Sequence, residues 1–96
     1  MEFRCSGRVF EWRGPAPFYF VSTSPQLSAR IRERSRALSY GWGVIHIHGK
    51  IKGITFQTAI FPKEGVYFIP LKDAVRKALK IELDDRVTVE FDLGKE

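Results

Sequence analysis

Phe18-Tyr19-Phe20-Val21 and Val66-Tyr67-Phe68-Ile69 begin 48 residues apart, and each is a short aromatic strand that runs into helical sequence and then into an alternating strand. A further strand-like stretch precedes each of them, residues 2–12 before the first and residues 54–61 before the second. Both halves therefore read strand, strand, helix, strand, which predicts an internal duplication. Two such halves related by a pseudo-twofold axis close a small barrel and remove exposed strand edges.

Working outward from the first repeat, residues 2–12 (EFRCSGRVFEW) start in strand alternation, with Phe3, Cys5 and Val9 on one face and Arg4, Ser6 and Arg8 on the other. Phe10 and Trp12 break that phase, which predicts a bulge near Gly7 or a strand covered on both faces. Ser24-Pro25 supplies an N-cap and a first-turn proline, opening a helix over residues 25–39. Within it Leu27, Ile31 and Leu38 fall within roughly 40° of one another and form a narrow buried stripe. Arg30 and Arg34 flank that stripe, whereas Arg32 and Arg36 lie far round the cylinder. Gly41-Trp42-Gly43 ends the segment.

Residues 44–51 alternate as a half-buried strand, with Ile45, Ile47 and Ile51 on one face and His46, His48 and Lys50 on the other. Gly49 and Gly53 are expected to bracket a turn or bend, and Lys63-Glu64-Gly65 a tight connection. Residues 72–81 place Val75, Ala78 and Leu79 at helical spacing. Asp84-Asp85 makes a turn into the last strand, where Val87, Val89, Phe91 and Leu93 alternate with polar residues.

Composition narrows the classes. At 96 residues the chain is expected to form one domain over residues 1–96, burying roughly 65% of its unfolded surface and capable of standing as a monomer. It is 44% hydrophobic and 28% charged, with eight Phe, three Tyr and two Trp, which excludes disorder. No run approaches the roughly 18 to 20 apolar residues of a membrane span, and Met1-Glu2-Phe3-Arg4-Cys5 lacks the layout of a signal peptide, so the expectation is a cytoplasmic protein. The lone Cys5 excludes an intrachain disulfide and a multi-cysteine metal site. The net charge of +5 is compatible with a polyanionic partner without demanding one.

Three stretches are familiar as a set: Gly41-Trp42-Gly43-Val44, then Thr55-Phe56-Gln57-Thr58-Ala59-Ile60-Phe61-Pro62, then Tyr67-Phe68-Ile69-Pro70-Leu71-Lys72-Asp73-Ala74-Val75-Arg76-Lys77-Ala78. Their order and spacing, over nearly the whole chain, resemble the uncharacterised bacterial and archaeal family DUF1905. The resemblance implies a mainly β fold with two helices, a double-split β-barrel similar to that of AbrB and MazE type transcription regulators. Here one duplicated chain would supply both halves. Where the family carries Gly-Asp before the last strand this chain has Asp84-Asp85, and a glycine common after the helix is replaced by Lys80. The family implies no activity, cofactor or site residue.

The chemistry on offer is sparse. His46 and His48, at i and i+2 on a strand, project from one face, but two donors fall short of a metal site and no third His exists. Gly41-Trp42-Gly43 begins like a phosphate loop, yet His46 stands where a third glycine is needed, and the order is helix to strand. Trp42 instead caps one end of the barrel or forms a stacking wall for a ligand, beside His46 and His48. Asp84 and Asp85 are turn residues whose side chains diverge, and no serine sits in a nucleophile elbow. The leading expectation is a non-enzymatic binding module with no cofactor and an unidentified partner. The alternative is a weak DNA- or RNA-binding protein using Arg30, Arg32, Arg34 and Arg36 with Lys50 and Lys52; an enzyme of unknown reaction comes third.

Overall fold

The computed structural model describes residues 2–12, 18–36 and 43–94. Its elements run β1 (Phe3–Arg8), β2 (Phe10–Trp12), β3 (Phe18–Ser22), α1 (Pro25–Arg34), β4 (Ile45–Ile51), β5 (Ile54–Lys63), β6 (Val66–Leu71), α2 (Asp73–Leu79) and β7 (Arg86–Leu93). Among the described residues the fold is mainly β with two helices. Its strands form a curled antiparallel sheet of order β1-β7-β4-β5-β6-β3-β2. The edge strands β1 and β2 are separated in the chain by Val9 alone, so the sheet curls until both edges rest on one run of backbone, residues 3–12.

Val9 belongs to neither ladder, yet its backbone is fully paired. Its N–H donates to the Asp85 carbonyl at 2.8 Å, and its own carbonyl accepts from the Asp84 N–H at 2.9 Å. Its side chain is completely buried, as the core requires of a residue at the crossing between the two edges. The β1 register against β7 is unbroken from Phe3↔Phe91 to Arg8↔Arg86, so the bulge expected near Gly7 is absent. Alternation also continues through the junction. Phe3, Cys5 and Val9 lie in the core, whereas Phe10 and Trp12 lie on the opposite face with Arg4, Ser6 and Arg8. Phe10 and Trp12 keep the phase, and what changes at Val9 is the outer face itself, from polar to aromatic.

The core is filled from the inner side of every long strand, with Ile45, Ile47, Ile60, Ile69, Val89 and Phe91 all essentially inaccessible. Burying side chains of this size stabilises by roughly 1.5–3 kcal/mol each. Phe3 stacks on Phe91 across the β1–β7 pair with ring centroids 5.4 Å apart. Gly49 sits inside β4 opposite Phe56, where a Cβ would come within 2.6 Å of that ring, so it makes room for an aromatic and does not bracket a turn. The turn is Lys52-Gly53, both at positive φ (50° and 85°), the geometry that favours two-residue hairpins, and Glu64-Gly65 repeats it.

Ser24 caps α1 by accepting from the Leu27 N–H at 3.1 Å, and Pro25 opens the helix as expected. Regular helix stops at Arg34 and not at residue 39: Ser35 leaves helical geometry (φ −91°, ψ 0°), and its hydroxyl donates to the Arg32 carbonyl at 3.1 Å. Leu38 lies outside the described residues. The buried face is Ile31 with Ser28, and Leu27 packs at its margin. Ser28 is tolerated there by a relay in which Ser28 donates to the Ser24 carbonyl, Thr23 pairs with Ser28, and the Tyr67 N–H donates to Thr23 Oγ1 at 3.0 Å. That relay fastens the start of α1 to β6.

Helix α2 buries Val75 and half-buries Leu79. Ala78 is exposed, contrary to the expected stripe, because the helix ends at Leu79 and Ile81 completes the packing from beyond it. The chain leaves α2 through Lys80 in the left-handed conformation (φ 56°, ψ 43°), and Asp84 is left-handed as well (φ 69°). These are the two positions where the family resemblance expects glycine. A side chain in this region costs roughly 1 kcal/mol, less for Asp than for Lys. Lys80→Gly is expected to raise stability by about 1 kcal/mol and the melting temperature by about 4–8 °C. Thermal unfolding of the variant checks this, and an unchanged or lower midpoint would contradict it.

Candidate functional site

Strand periodicity assigns every residue of the second half of the sheet to one of two faces. Val9, Val21, Ile60 and Ile69 belong to the core cluster, so their neighbours Phe10, Phe20, Phe61 and Phe68 point away from it. Phe20 shows this most plainly, being only 4% exposed yet outside that cluster, because other aromatic rings cover it. The registers bring these residues together, pairing Phe10 with Phe20, Trp12 with Phe18, and Phe61 with Phe68. The result is a second aromatic layer on the outer side of β2, β3, β6 and the end of β5.

Its rings hold one another in fixed geometry. Phe10 meets Phe68 edge-on at 5.0 Å, Phe20 meets Phe61 edge-on at 5.8 Å, and Trp12 lies 6.1 Å from Phe20, Phe61 and Phe68 alike. Pairs of this kind add about 0.5–1.5 kcal/mol beyond area burial. The layer is nevertheless open, since Trp12 is 42% and Phe18 57% exposed. The Lys63 ammonium sits 4.7 Å from the Trp12 ring centroid, placing a cation on the aromatic face.

The outer face of the other half is polar and basic. Arg4, Lys50, Lys52 and Arg86 line a depression of about 460 Å³ with Gly53, Val87, Thr88 and the acid Glu90. Beside it Arg8 stands directly across from Arg86, both exposed, a like-charge cross-strand pair that opposes folding.

Of the basic residues expected to act together, Lys50 and Lys52 fall in this depression, and the helix arginines do not join them. The Arg30 guanidinium lies 5.4 Å from the Phe3 ring centroid, and Arg34 is ion-paired with Glu2. Arg32 and Arg36 are exposed, Arg36 beyond the end of the helix. Glu2, Arg30, Glu33 and Arg34 surround one shallow hollow in which acids and bases balance. His46 and His48 share the outer face of β4, with the His48 ring so close to Gly94 that a Cβ there would lie 2.6 Å from it. Among the described residues no three His, Cys, Asp or Glu side chains are placed to hold a metal ion. Trp42 lies outside the described residues, and Asp85 acts as a turn residue, its carboxylate accepting from the Glu82 N–H at 2.8 Å.

Neither the aromatic residues of the outer layer nor Arg4, Arg8, Lys63 and Arg86 are among the site residues that the sequence patterns suggest. The available signal is phase: carrying the Phe3, Cys5, Val9 alternation on to residue 12 puts Phe10 and Trp12 outside. The model of the family described as domain of unknown function (DUF1905) matches residues 6–91, and the chain belongs to that family. No curated protein matches the chain, and no solved structure does. Among the described residues no helix is long and apolar enough to cross a membrane.

Cys5 is the remaining reactive side chain, and its surroundings quiet it. It is buried against the core, its thiol directed at the Ser22 carbonyl 3.5 Å away, and burial pushes the thiol pKa from 9.0 up to about 11. The reactive thiolate is therefore scarce at neutral pH. A disulfide-exchange reagent at pH 7.5 is expected to label Cys5 only at the rate of unfolding, and rapid labelling of the native protein would contradict this burial. Below about pH 8 both folded and unfolded chains keep the thiol proton. Between there and about pH 11 the unfolded chain releases it first, so the stability of the protein relative to Cys5→Ala is expected to fall as pH rises.

Proposed function

We propose that this chain is a small non-enzymatic binding module whose binding surface is the aromatic outer face of β2, β3, β6 and the end of β5. The observation that carries this reading is the exposure of Trp12 and Phe18 above rings that already lock one another in place. A contiguous apolar patch with a rigid arrangement is what an interaction site requires, and aromatic rings give contact area at little cost in side-chain freedom. The alternative, weak nucleic-acid binding through Arg30, Arg32, Arg34 and Arg36 with Lys50 and Lys52, has less support, since Arg30 and Arg34 already have intramolecular partners and the two lysines line a depression that the helix arginines do not reach.

The sheet order supports the finer description of the scaffold as a double-split barrel of two duplicated halves. Exchanging β1 and β2 with β5, β3 with β6, and β4 with β7 leaves every neighbour relation intact. The β1–β7 pair becomes β5–β4, the β2–β3 pair becomes β5–β6, and the β3–β6 and β4–β7 pairs map onto themselves.

The test compares the full chain with a Trp12→Ser, Phe18→Ser double variant, both used to retain material from native cells. The variant gives up the Trp12 contacts with Phe20, Phe61 and Phe68, so it is expected to melt several degrees to about 20 °C lower but to stay folded at 4 °C, where the retention is done and where its circular dichroism checks the fold. The expected result is material held by the unsubstituted chain and lost from the variant. Retention that ignores these substitutions, or that depends on Arg32 and Arg36 instead, would overturn the reading.

A further inference from the structure

We propose that the occupant of this surface is a single-stranded nucleic acid, with bases stacked on the exposed rings of Trp12 and Phe18 and phosphates carried past Arg8, Arg86 and Arg4. The proposal rests on the aromatic face being the binding surface and adds the chemistry of what it binds.

Its basis is the outward file of the first strand. Arg4, Ser6, Arg8, Phe10 and Trp12 share one side of residues 3–12, at intervals of about 7 Å, and run from basic to aromatic. A ligand laid along this file meets guanidinium groups at one end and π-faces at the other. That is the combination by which sheets and small barrels hold single strands: a cationic track for the backbone and rings for successive bases.

The charges select among partners. Arg8 faces Arg86 across the β1–β7 ladder, a juxtaposition that folding alone disfavours and that an anion between the two would relieve. Lys50 and Lys52 extend the same cationic side, and Glu90, which stands across from Arg4 and from Lys50 in the ladders, offsets part of their charge but none of that at Arg8 and Arg86. A proline-rich peptide would fit the rings but bring no anion to Arg8 and Arg86. A duplex would bring phosphates but keep its bases stacked inside, out of reach of Trp12 and Phe18. A single strand satisfies both halves of the surface.

The experiment is fluorescence anisotropy with end-labelled oligo(dT) and oligo(rU) of about fifteen nucleotides, titrated with the full chain from 50 to 200 mM salt. Binding near 10⁻⁵ M at the lowest salt is expected, with log affinity falling against log salt at a slope of about −2 to −3, as three or four single-strand phosphate contacts give. Trp12→Ser with Phe18→Ser should weaken binding at least tenfold and leave the slope unchanged, and Trp12→Phe should recover most of the loss. Arg8→Gln with Arg86→Gln should flatten the slope by about 1.4, while Arg32→Gln with Arg36→Gln should change nothing.

Three results would overturn the proposal: no binding of either oligonucleotide at 50 mM salt, equal binding of a matched duplex or of heparin that ignores Trp12 and Phe18, or binding abolished by the Arg32 and Arg36 substitutions. If the oligonucleotides fail while the Trp12, Phe18 variant still loses material retained from cells, the nucleic-acid inference falls and the aromatic face stands as a surface for another partner. If that variant retains everything, the surface itself is wrong.

Discussion

Val9 gives its amide proton to Asp85 and takes that of Asp84, and on these two hydrogen bonds the meeting of the sheet's two edges depends. They fix the point at which residues 3–8, paired with β7, give way to residues 10–12, paired with β3. A single run of backbone thus serves both edges. The turn that makes this possible is held by Asp85, whose carboxylate accepts from the Glu82 amide, and by the left-handed Asp84. The Asp84-Asp85 pair thus holds the crossing through its backbone groups, with the Asp85 carboxylate bracing the turn.

The same crossing gives one strand two outer environments. Inward, the run is uniform, with Phe3, Cys5 and Val9 all in the core. Outward, it passes from Arg4 and Arg8 to Phe10 and Trp12 because it leaves a half whose outer face is polar for one whose outer face is aromatic. Strand β5 makes the corresponding passage, pairing with β4 through Ile60 and with β6 from Phe61 onward. The two passages bring aromatic residues from four strands onto one surface and leave basic residues beside it. Under the proposed reading stability and binding are separated largely by face: the inner residues hold the fold, and Trp12 and Phe18, exposed on the outer face, are available to a partner.

Much of the fold was legible in the residues. Ser24-Pro25 marks the start of α1, and the alternation of Ile45, Ile47 and Ile51 gives β4 its buried side, as Val87, Val89 and Phe91 do for β7. The family resemblance drawn from the motifs agrees with the match over residues 6–91. The candidate site was much less legible. Alternation separates two faces of a strand but does not say what covers each, and abundant phenylalanine reads naturally as core. Phe20 defeats that reading, since it is as buried as a core residue while lying on the far side of β3. Arg30 and Arg34 mislead in the opposite sense, because a run of arginines does not disclose that Phe3 and Glu2, distant in the chain, already engage two of them.

The most direct measurement is a ¹H–¹⁵N correlation spectrum of the full chain recorded through a titration with a short oligo(dT) at low salt. Amide shifts are predicted to move in residues 4–12, 18–22, 61–68 and 86–88, the strands that carry the outward aromatic and basic side chains, with residues 25–36 of the α1 segment unmoved. Movement concentrated in residues 25–36, with the resonances of Trp12, Phe18 and Phe68 unchanged, would contradict the assignment of the binding surface to the aromatic face.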